Sequence, residues 1–109
     1  MSYEIIATSP FEKKIKRLAK KYRSLRSDLT EVVNLLSQNP FQGTPLGKEC
    51  YKIRVAIASK GKGKSGGARL ITYIRVTSKT VYLIEIYDKS EKESISDKEL
   101  TLLIELLAP

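Results

Sequence analysis

A chain of 109 residues can bury one modest hydrophobic core but not a second independent one, so we expect a single domain over residues 1–109. Hydrophobic residues make up 41% and charged residues 29% of the chain, which is typical of a folded soluble protein. No apolar run is long enough to cross a membrane, and the first residues lack the pattern of a secretory signal. We therefore expect a cytoplasmic protein that does not contact a membrane.

The chain contains no histidine, which removes the commonest metal ligand and the commonest proton-transfer side chain. Its one cysteine, Cys50, lacks a histidine to activate it as a nucleophile, so we predict a structural thiol. No metal and no cofactor are expected. Any catalysis must use lysine, arginine, tyrosine, glutamate or aspartate.

The formal net charge of +8 is unevenly distributed along the chain. Sixteen basic and 5 acidic residues lie up to Arg75, whereas 4 basic and 7 acidic residues follow it. A polyanionic partner such as nucleic acid is the natural explanation of the basic part. The alternative is that this charge only keeps the protein soluble.

The first third of the chain predicts a strand followed by two helices. Residues 3–7 are strand-like. Ser9, Pro10 and Glu12 have the pattern of an N-cap serine, a proline in the first turn and a capping-box glutamate. A second helix is predicted over residues 27–38. Apolar residues recur at helical spacing in both segments and predict an antiparallel hairpin, with Phe11, Ile15, Leu18 and Tyr22 in the first and Leu29, Val32, Val33 and Leu36 in the second.

From Cys50 onward the pattern changes to the alternation typical of strands. Residues 42–49 predict a loop, and three strands joined by hairpins follow it. The predicted core side of these strands consists of Tyr51, Ile53, Val55, Ile57, Leu70, Ile74, Val76, Tyr82, Ile84 and Ile86. Residues 96–99 repeat the capping pattern and open a last helix whose apolar stripe is Leu100, Leu103, Ile104 and Leu107.

These elements predict an α+β fold. The N-terminal strand and the helical hairpin pack on one face of an antiparallel sheet, and a C-terminal helix ends the chain. A sheet covered by helices on one face leaves the other face free for a ligand.

The loop between the first two predicted hairpin strands has the sequence Lys60-Gly61-Lys62-Gly63-Lys64-Ser65-Gly66-Gly67. Glycines allow the backbone to approach a ligand closely, and lysines add positive charge for phosphate. We interpret the loop as a mobile clamp on an RNA backbone, with a flexible solvated turn as the alternative. It is not a nucleotide-binding P-loop, because Ala58 stands where the first glycine is required and a strand follows.

Strand parity places basic and aromatic side chains together on the predicted free face. Cations there neutralise phosphates and rings stack on unpaired bases, so this face suits RNA. Glu85 is expected among them, paired with an arginine. A charged sheet face without a ligand is the alternative. The predicted face consists of Lys52, Arg54, Arg69, Tyr73, Arg75, Tyr87 and Lys89.

These segments together resemble the RelE/ParE superfamily of toxins from type II toxin–antitoxin systems. The resemblance is carried by residues 9–18, 50–54, 67–73 and 86–89, and it covers nearly the whole chain. The glycine-rich loop is most similar to that of the HigB branch. The resemblance implies a RelE-like, microbial-RNase-type fold and a ribosome-dependent mRNA endoribonuclease that inhibits translation. In such enzymes the 2′-hydroxyl attacks the adjacent phosphate without a metal.

The resemblance and the chemistry together assign roles to individual residues. Arg54 and Arg69 are expected to neutralise the charge that develops on the phosphate. Lys52 or Lys89 is expected to transfer protons, with Lys52 hypothesised as the base. The candidate catalytic residues are Lys52, Arg54, Arg69, Tyr87 and Lys89, and the candidate RNA-binding residues are Lys60, Lys62, Lys64, Tyr73 and Arg75.

The chain departs from the family pattern after its last strand. Ile95 stands near the position where RelE has a tyrosine, so Tyr87 is expected to take over base stacking. Lysine in place of arginine at position 89 loses the bidentate fork.

The resemblance also implies partners and leaves alternatives. We expect a cognate antitoxin protein and mRNA on the 70S ribosome as partners, and a monomeric free toxin. One alternative is a ParE-like inhibitor of DNA gyrase that acts by binding, although Lys52, Arg54 and Arg69 argue against it because that activity does not need a basic sheet face. The other is a protein that binds RNA or the ribosome without cutting.

Overall fold

The computed structural model describes residues 2–107, in which a five-stranded sheet is flanked by three helices. The sheet has the order β1-β5-β4-β3-β2; β1 is parallel to β5, and the other neighbouring strands are antiparallel. The predicted α+β fold class is confirmed, but β1 lies within the sheet, parallel to β5, and does not pack with the hairpin on the face of a purely antiparallel sheet as predicted. The strands are β1 (Glu4–Ala7), β2 (Thr44–Gly47), β3 (Cys50–Val55), β4 (Ala68–Arg75) and β5 (Thr80–Asp88), and the helices are α1 (Ser9–Lys21), α2 (Leu25–Gln38) and α3 (Asp97–Glu105).

The helical hairpin forms as predicted, with small differences at the starts of both helices. The N-cap of α1 is Thr8 rather than Ser9, because the Thr8 hydroxyl accepts a hydrogen bond from the backbone of Phe11. The same hydroxyl donates to the backbone carbonyl of Leu83 at 2.9 Å, which ties the helix start to β5. Helix α2 begins at Leu25, two residues before the predicted start.

The hairpin packs on one face of the sheet through a continuous apolar layer, called here the hairpin cluster. All four apolar residues predicted for α1 are buried in it. Burying a leucine or isoleucine side chain stabilises a fold by about 1.5–3 kcal/mol, so this layer fixes the hairpin on the sheet. The cluster comprises Phe11, Ile15, Leu18, Tyr22, Leu25, Leu29, Leu36, Ile53, Val55, Ile57, Ala68, Leu70, Ile74, Val81, Leu83 and Ile86.

Helix α3 covers the middle of the opposite face, so the prediction that this face is free for a ligand is wrong. The predicted capping box is confirmed, since the Ser96 side chain accepts from the Glu99 backbone and the Glu99 side chain accepts from the Ser96 backbone. The predicted apolar stripe of α3 packs on this face of the sheet. This second layer, the α3 cluster, has Cys50, Ile71, Ile84, Tyr87 and Leu100 as its buried members, with Tyr73, Tyr82, Leu103, Ile104 and Leu107 packed against them.

A bulge in β5 overturns the predicted faces of that strand. Ile71 pairs with Glu85 but the next residue, Thr72, pairs with Leu83, so Ile84 has no partner in the register. An extra residue of this kind reverses the side-chain parity beyond it. Tyr82 and Ile84 therefore belong to the α3 side, whereas Ile86 lies in the hairpin cluster. Glu85 is bound to Lys14 of α1 instead of an arginine of the predicted RNA face.

Two further predictions fail at the margins of the sheet. Residues 44–47, predicted as part of a loop, form the edge strand β2, where Pro45 is tolerated because edge strands have unpaired donors. Val76 was expected on the core side but lies in a 3₁₀ turn, Val76–Ser78, with 53% of its surface exposed.

Candidate nucleic-acid interface

Three predicted site residues form a row across neighbouring strands. Arg69 of β4 lies opposite Arg54 of β3 and opposite Tyr87 of β5. Side chains of directly opposed residues leave a sheet on the same face, with Cβ atoms about 4.5–5.5 Å apart. Lys52 lies two residues from Arg54 on that face. The structure thus brings together Lys52, Arg54, Arg69 and Tyr87, called here the basic row.

Arg69 is not the open cation that strand parity predicts. Only 5% of its surface is exposed, and its guanidinium is held by backbone carbonyls. Nη1 donates to Lys64 at 2.9 Å and to Ala68 at 3.2 Å, and Nη2 donates to Ser65 at 3.2 Å. It makes no ion pair within residues 2–107. The positive charge of Arg69 is therefore not neutralised by an acidic side chain of the described residues, and its hydrogen bonds anchor the glycine-rich loop.

Tyr87 is buried beside Arg69, so the prediction that its ring stacks on a base is wrong for this conformation. Only 2% of its surface is exposed, and the Lys92 ammonium lies 5.5 Å from the centre of its ring. Burial raises the pKa of the Tyr87 hydroxyl, an effect that the charge of Arg69 opposes. The hydroxyl has no hydrogen-bond partner among the described residues, a state that costs about 1–3 kcal/mol in a protein interior.

The start of the loop is fastened to the core by a buried aspartate. Lys60 Nζ donates to Asp88 Oδ1 at 2.6 Å and to Ser90 Oγ at 3.0 Å, and the Tyr22 hydroxyl donates to Asp88 Oδ2 at 2.5 Å. Burial alone would raise the pKa of Asp88, but hydrogen bonds from Lys60, Tyr22 and Ser90 outweigh it and hold that pKa well below its ordinary value. Tyr22, Lys60, Asp88 and Ser90 form what we call the Asp88 network. Lys60 is therefore not the free loop cation that was predicted.

Lys62 and Lys64 remain as exposed loop cations without an ion pair in the described part of the chain. Gly61 and Gly63 beside them adopt φ angles of +72° and +63°, which disfavour other residues. At the end of the loop, a Cβ on Gly67 would lie 2.1 Å from the Val55 carbonyl oxygen. The backbone thus needs glycine to turn back into β4.

Lys89 lies next to the row but is partly engaged. Its backbone N–H donates to the Gly67 carbonyl at 3.0 Å, which joins the end of β5 to the end of the loop. Its ammonium donates to the carbonyl of Glu93 at 3.1 Å. Two further hydrogens of the ammonium remain for other acceptors.

Tyr73 and Arg75 do not join the row, so the prediction of one continuous RNA face is wrong. Arg75 is six residues from Arg69 along β4, about 20 Å in an extended strand. Its guanidinium carbon lies 5.8 Å and 5.6 Å from the ring centres of Tyr73 and Tyr82. We call these three residues the far-end stack, and its tyrosines pack against the α3 cluster.

Sequence reasoning missed the Asp88 network. It places Tyr22 in an apolar stripe and assigns no role to Asp88. The available signal was an aspartate at the end of a largely apolar strand, because a buried carboxylate requires partners.

The cysteine and the acidic side chains outside the basic row show no arrangement for catalysis or metal binding among the described residues. Cys50 is buried, and burial raises the pKa of its thiol to about 11, in agreement with the predicted structural thiol. Within residues 2–107, no three histidine, cysteine or acidic side chains gather in a way that would hold a metal ion. None of the helices in the same range has the length and hydropathy needed to span a membrane.

Comparison with known proteins agrees with the fold. A sequence-family model described as the RelE toxin of the RelE/RelB toxin–antitoxin system matches residues 11–108. A mutant of the E. coli toxin RelE in the free state is similar with a TM-score of 0.65 and 15% identity, over 99% of this chain and 100% of that chain. A chain of the intact E. coli RelBE toxin–antitoxin complex gives a TM-score of 0.61 and 18% identity, over 79% of this chain and 95% of that chain. The isolated E. coli toxin RelE gives a TM-score of 0.61 and 15% identity, over 97% of this chain and 99% of that chain.

Proposed function

The chain belongs to the RelE family of toxins from toxin–antitoxin systems, and from this premise we propose that it is a ribosome-dependent endoribonuclease that cleaves mRNA and thereby inhibits translation. The observation that carries the proposal is the basic row next to the glycine-rich loop, in which Lys62 and Lys64 make no ion pair with a described residue. Arg54 and Lys52 project from it, and the buried charge of Arg69 lies between Arg54 and Tyr87.

The proposed reaction is an internal transfer of the phosphodiester. The 2′-oxygen attacks the adjacent phosphorus, and the bond from phosphorus to the 5′-oxygen of the next nucleotide breaks. The products are a 2′,3′-cyclic phosphate and a free 5′-hydroxyl. Lys52 takes the proton of the 2′-hydroxyl, and Lys89 supplies a proton to the departing oxygen, which are general base and general acid roles.

Charge stabilisation is divided between two arginines. Arg54 is exposed and binds the phosphate oxygens directly. Arg69 acts from beneath as a fixed charge that need not reorganise during the reaction, and it holds the loop carbonyls of Lys64 and Ser65. Tyr87 packs beside Arg69, so we assign it a positioning role instead of a stacking role.

Binding of the RNA strand is assigned to the loop. Lys62 and Lys64 contact the RNA backbone, and contacts of this kind add affinity without reading sequence. Lys60 is left out because it belongs to the Asp88 network. Tyr73 and Arg75 are left out because the far-end stack lies apart from the row.

We also propose a cognate antitoxin as partner, as the E. coli RelBE toxin–antitoxin complex has one. The protein would act as a monomeric single domain in the cytoplasm, where translating ribosomes are found.

The test is to map mRNA ends in a translation reaction with the purified protein. We expect new 5′-hydroxyl ends within the coding sequence that appear only when ribosomes are present. An mRNA with a 2′-deoxynucleotide at a mapped position should stay intact there, because the attacking oxygen is missing. Intact mRNA together with gyrase-dependent DNA breaks would overturn the proposal in favour of a gyrase inhibitor.

A further inference from the structure

The cations of α1 fall into two groups that differ in neutralisation. On the side toward the end of β5, Lys14 pairs with Glu85 at 3.3 Å. Arg17 and Lys21 pair with Glu91 at 3.3 Å and 3.5 Å. The acidic residues that follow Arg75 in the chain thus balance one flank of the helix.

The outer side of α1 is not balanced in this way. Lys13, Lys16 and Lys20 recur at spacings of three and four residues and lie opposite the buried stripe of the helix. Arg23 follows the helix end, Arg26 lies beside Lys13 and Lys16, and all five side chains are exposed. We call these five residues the α1 ridge.

The ridge contains little that would offset its charge. None of its members makes an ion pair with another residue in the range 2–107. Glu12 is the one acid in the shallow pocket that Lys13, Lys16 and Arg26 line. Like charges at helical spacing repel one another, and a polyanion would relieve that repulsion.

The composition of the ridge selects among partners. Cores of protein–protein interfaces are depleted in lysine, and the large exposed apolar side chains among the described residues lie elsewhere on the molecule. Single-stranded RNA is bound with the help of aromatic platforms, which the ridge lacks. A straight row of lysines about 10 Å long instead matches the phosphates along a double helix.

We propose that the α1 ridge binds the phosphate backbone of a double-helical segment of ribosomal RNA. Helix α1 packs on the face of the sheet opposite to the basic row, so an mRNA strand in the row does not lie along the ridge. An RNA bound at the ridge is therefore a different segment from the mRNA that occupies the row. The identification of that RNA as ribosomal rests on the proposed function.

The test compares two double variants of equal charge. Lys16→Gln/Lys20→Gln neutralises the ridge, and Lys48→Gln/Lys98→Gln removes two exposed lysines elsewhere that make no ion pair with a described residue. Binding to 70S ribosomes without mRNA is measured over a range of salt concentrations. The ridge variant should lower the slope of log K against log salt by about 2, since each phosphate contact contributes about 0.9. The control variant should leave the slope unchanged.

Cleavage provides a second measurement. The ridge variant should raise the concentration of programmed ribosomes that gives half-maximal cleavage about tenfold and leave the maximal rate unchanged. Equal slopes for the two variants would overturn the proposal. So would a ridge variant that loses antitoxin binding but keeps the wild-type ribosome slope, because the ridge would then be a protein-docking surface. A wild-type protein that binds ribosomes through the ridge but cuts no mRNA would contradict the nuclease and support the ridge.

Discussion

Each end of β4 has an arginine close to tyrosine side chains, but the surroundings of the two arginines differ. Arg69 is buried, bound by loop carbonyls and packed beside Tyr87. Arg75 is half-exposed and lies over the rings of Tyr73 and Tyr82. The glycine-rich loop folds over the first end, whereas a tight turn closes the second.

This difference indicates where chemistry belongs. A fixed charge in surroundings that exclude water stabilises developing negative charge far better than a solvated one. An exposed cation over an aromatic ring contributes only about 0.5–1 kcal/mol. We therefore expect substitutions in the basic row to change cleavage, and substitutions in the far-end stack to leave it nearly unchanged.

The largest effect is expected for Arg69→Ala, with Arg75→Ala as the matched control on the same strand. Loss of the buried charge and of the loop anchor should slow cleavage about 100- to 1,000-fold, whereas the control should change it less than about twofold. Cleavage rates on programmed ribosomes measure this, and thermal unfolding reports whether each variant folds. Arg69→Met keeps the side-chain volume and should be equally slow. Similar losses at both ends of β4 would contradict the comparison.

Lys52→Arg separates proton transfer from charge. Arginine keeps the positive charge but does not release its proton, so the variant should lose about 100-fold in maximal cleavage rate if Lys52 is the base. The measurement is the rate at saturating ribosome concentration across pH. A variant as fast as the wild type would assign Lys52 to phosphate binding alone.

Arg54→Gln should slow cleavage about 10- to 50-fold, which corresponds to the loss of one charge-assisted hydrogen bond to the phosphate. Because Arg54 is exposed, the free energy of unfolding should change by less than about 0.5 kcal/mol. Parallel measurements of cleavage and of denaturant unfolding check both parts. A large loss of stability would show that Arg54 is structural instead.

Asp88→Asn tests the network under the loop. It leaves the half-buried Lys60 without its carboxylate, so the free energy of unfolding at pH 7 should fall by about 3 kcal/mol, with a smaller effect on cleavage. The pKa of Asp88 is lowered on folding, so its stabilising contribution is present above the unfolded pKa of about 3.9 and is lost as pH falls below it. Denaturant unfolding at pH 7 and pH 3 should show a smaller gap between wild type and variant at pH 3.

The double variant Lys60→Met/Asp88→Asn serves as the control for that experiment. Removing both partners leaves no unpaired buried charge, so part of the lost stability should return. A double variant no more stable than Asp88→Asn would show that the ion pair is not what Asp88 contributes.

The smallest effect is expected for the loop lysines. Lys62→Gln/Lys64→Gln should weaken binding of all RNAs by a similar factor of a few and reduce the salt dependence of binding, while the maximal rate stays the same. Binding of programmed ribosomes at several salt concentrations measures this. A loss confined to particular codons would show that the loop reads bases.

Much of the fold was accessible from the sequence where one face of an element is apolar and the other charged. The stripe of Phe11, Ile15 and Leu18 on a lysine-rich helix has only one way to face a core. Strand β5 is largely apolar on both faces, so the alternation used to assign its faces could not reveal the bulge at Ile84. The face of Glu85 was predicted incorrectly for that reason.

Some features of the candidate site were likewise predictable from the sequence and others were not. Parity on β3 and β4 correctly placed Lys52, Arg54 and Arg69 on one face, because neither strand is interrupted between these positions. The burial of Arg69 and the pairing of Lys60 depend on where the loop folds back. Contacts between residues distant in the chain decide that, and no local pattern records them.

The sequence by itself determined the elements other than β2, the hairpin face, the excess of positive charge and the absence of histidine, because composition and short-range spacing are sufficient for these. Only the tertiary structure decided that α3 covers the second face, that a bulge reverses the parity of β5, and that Asp88 anchors the loop. Each of these depends on packing between segments far apart in the chain, where burial and partners determine what a charged side chain can do.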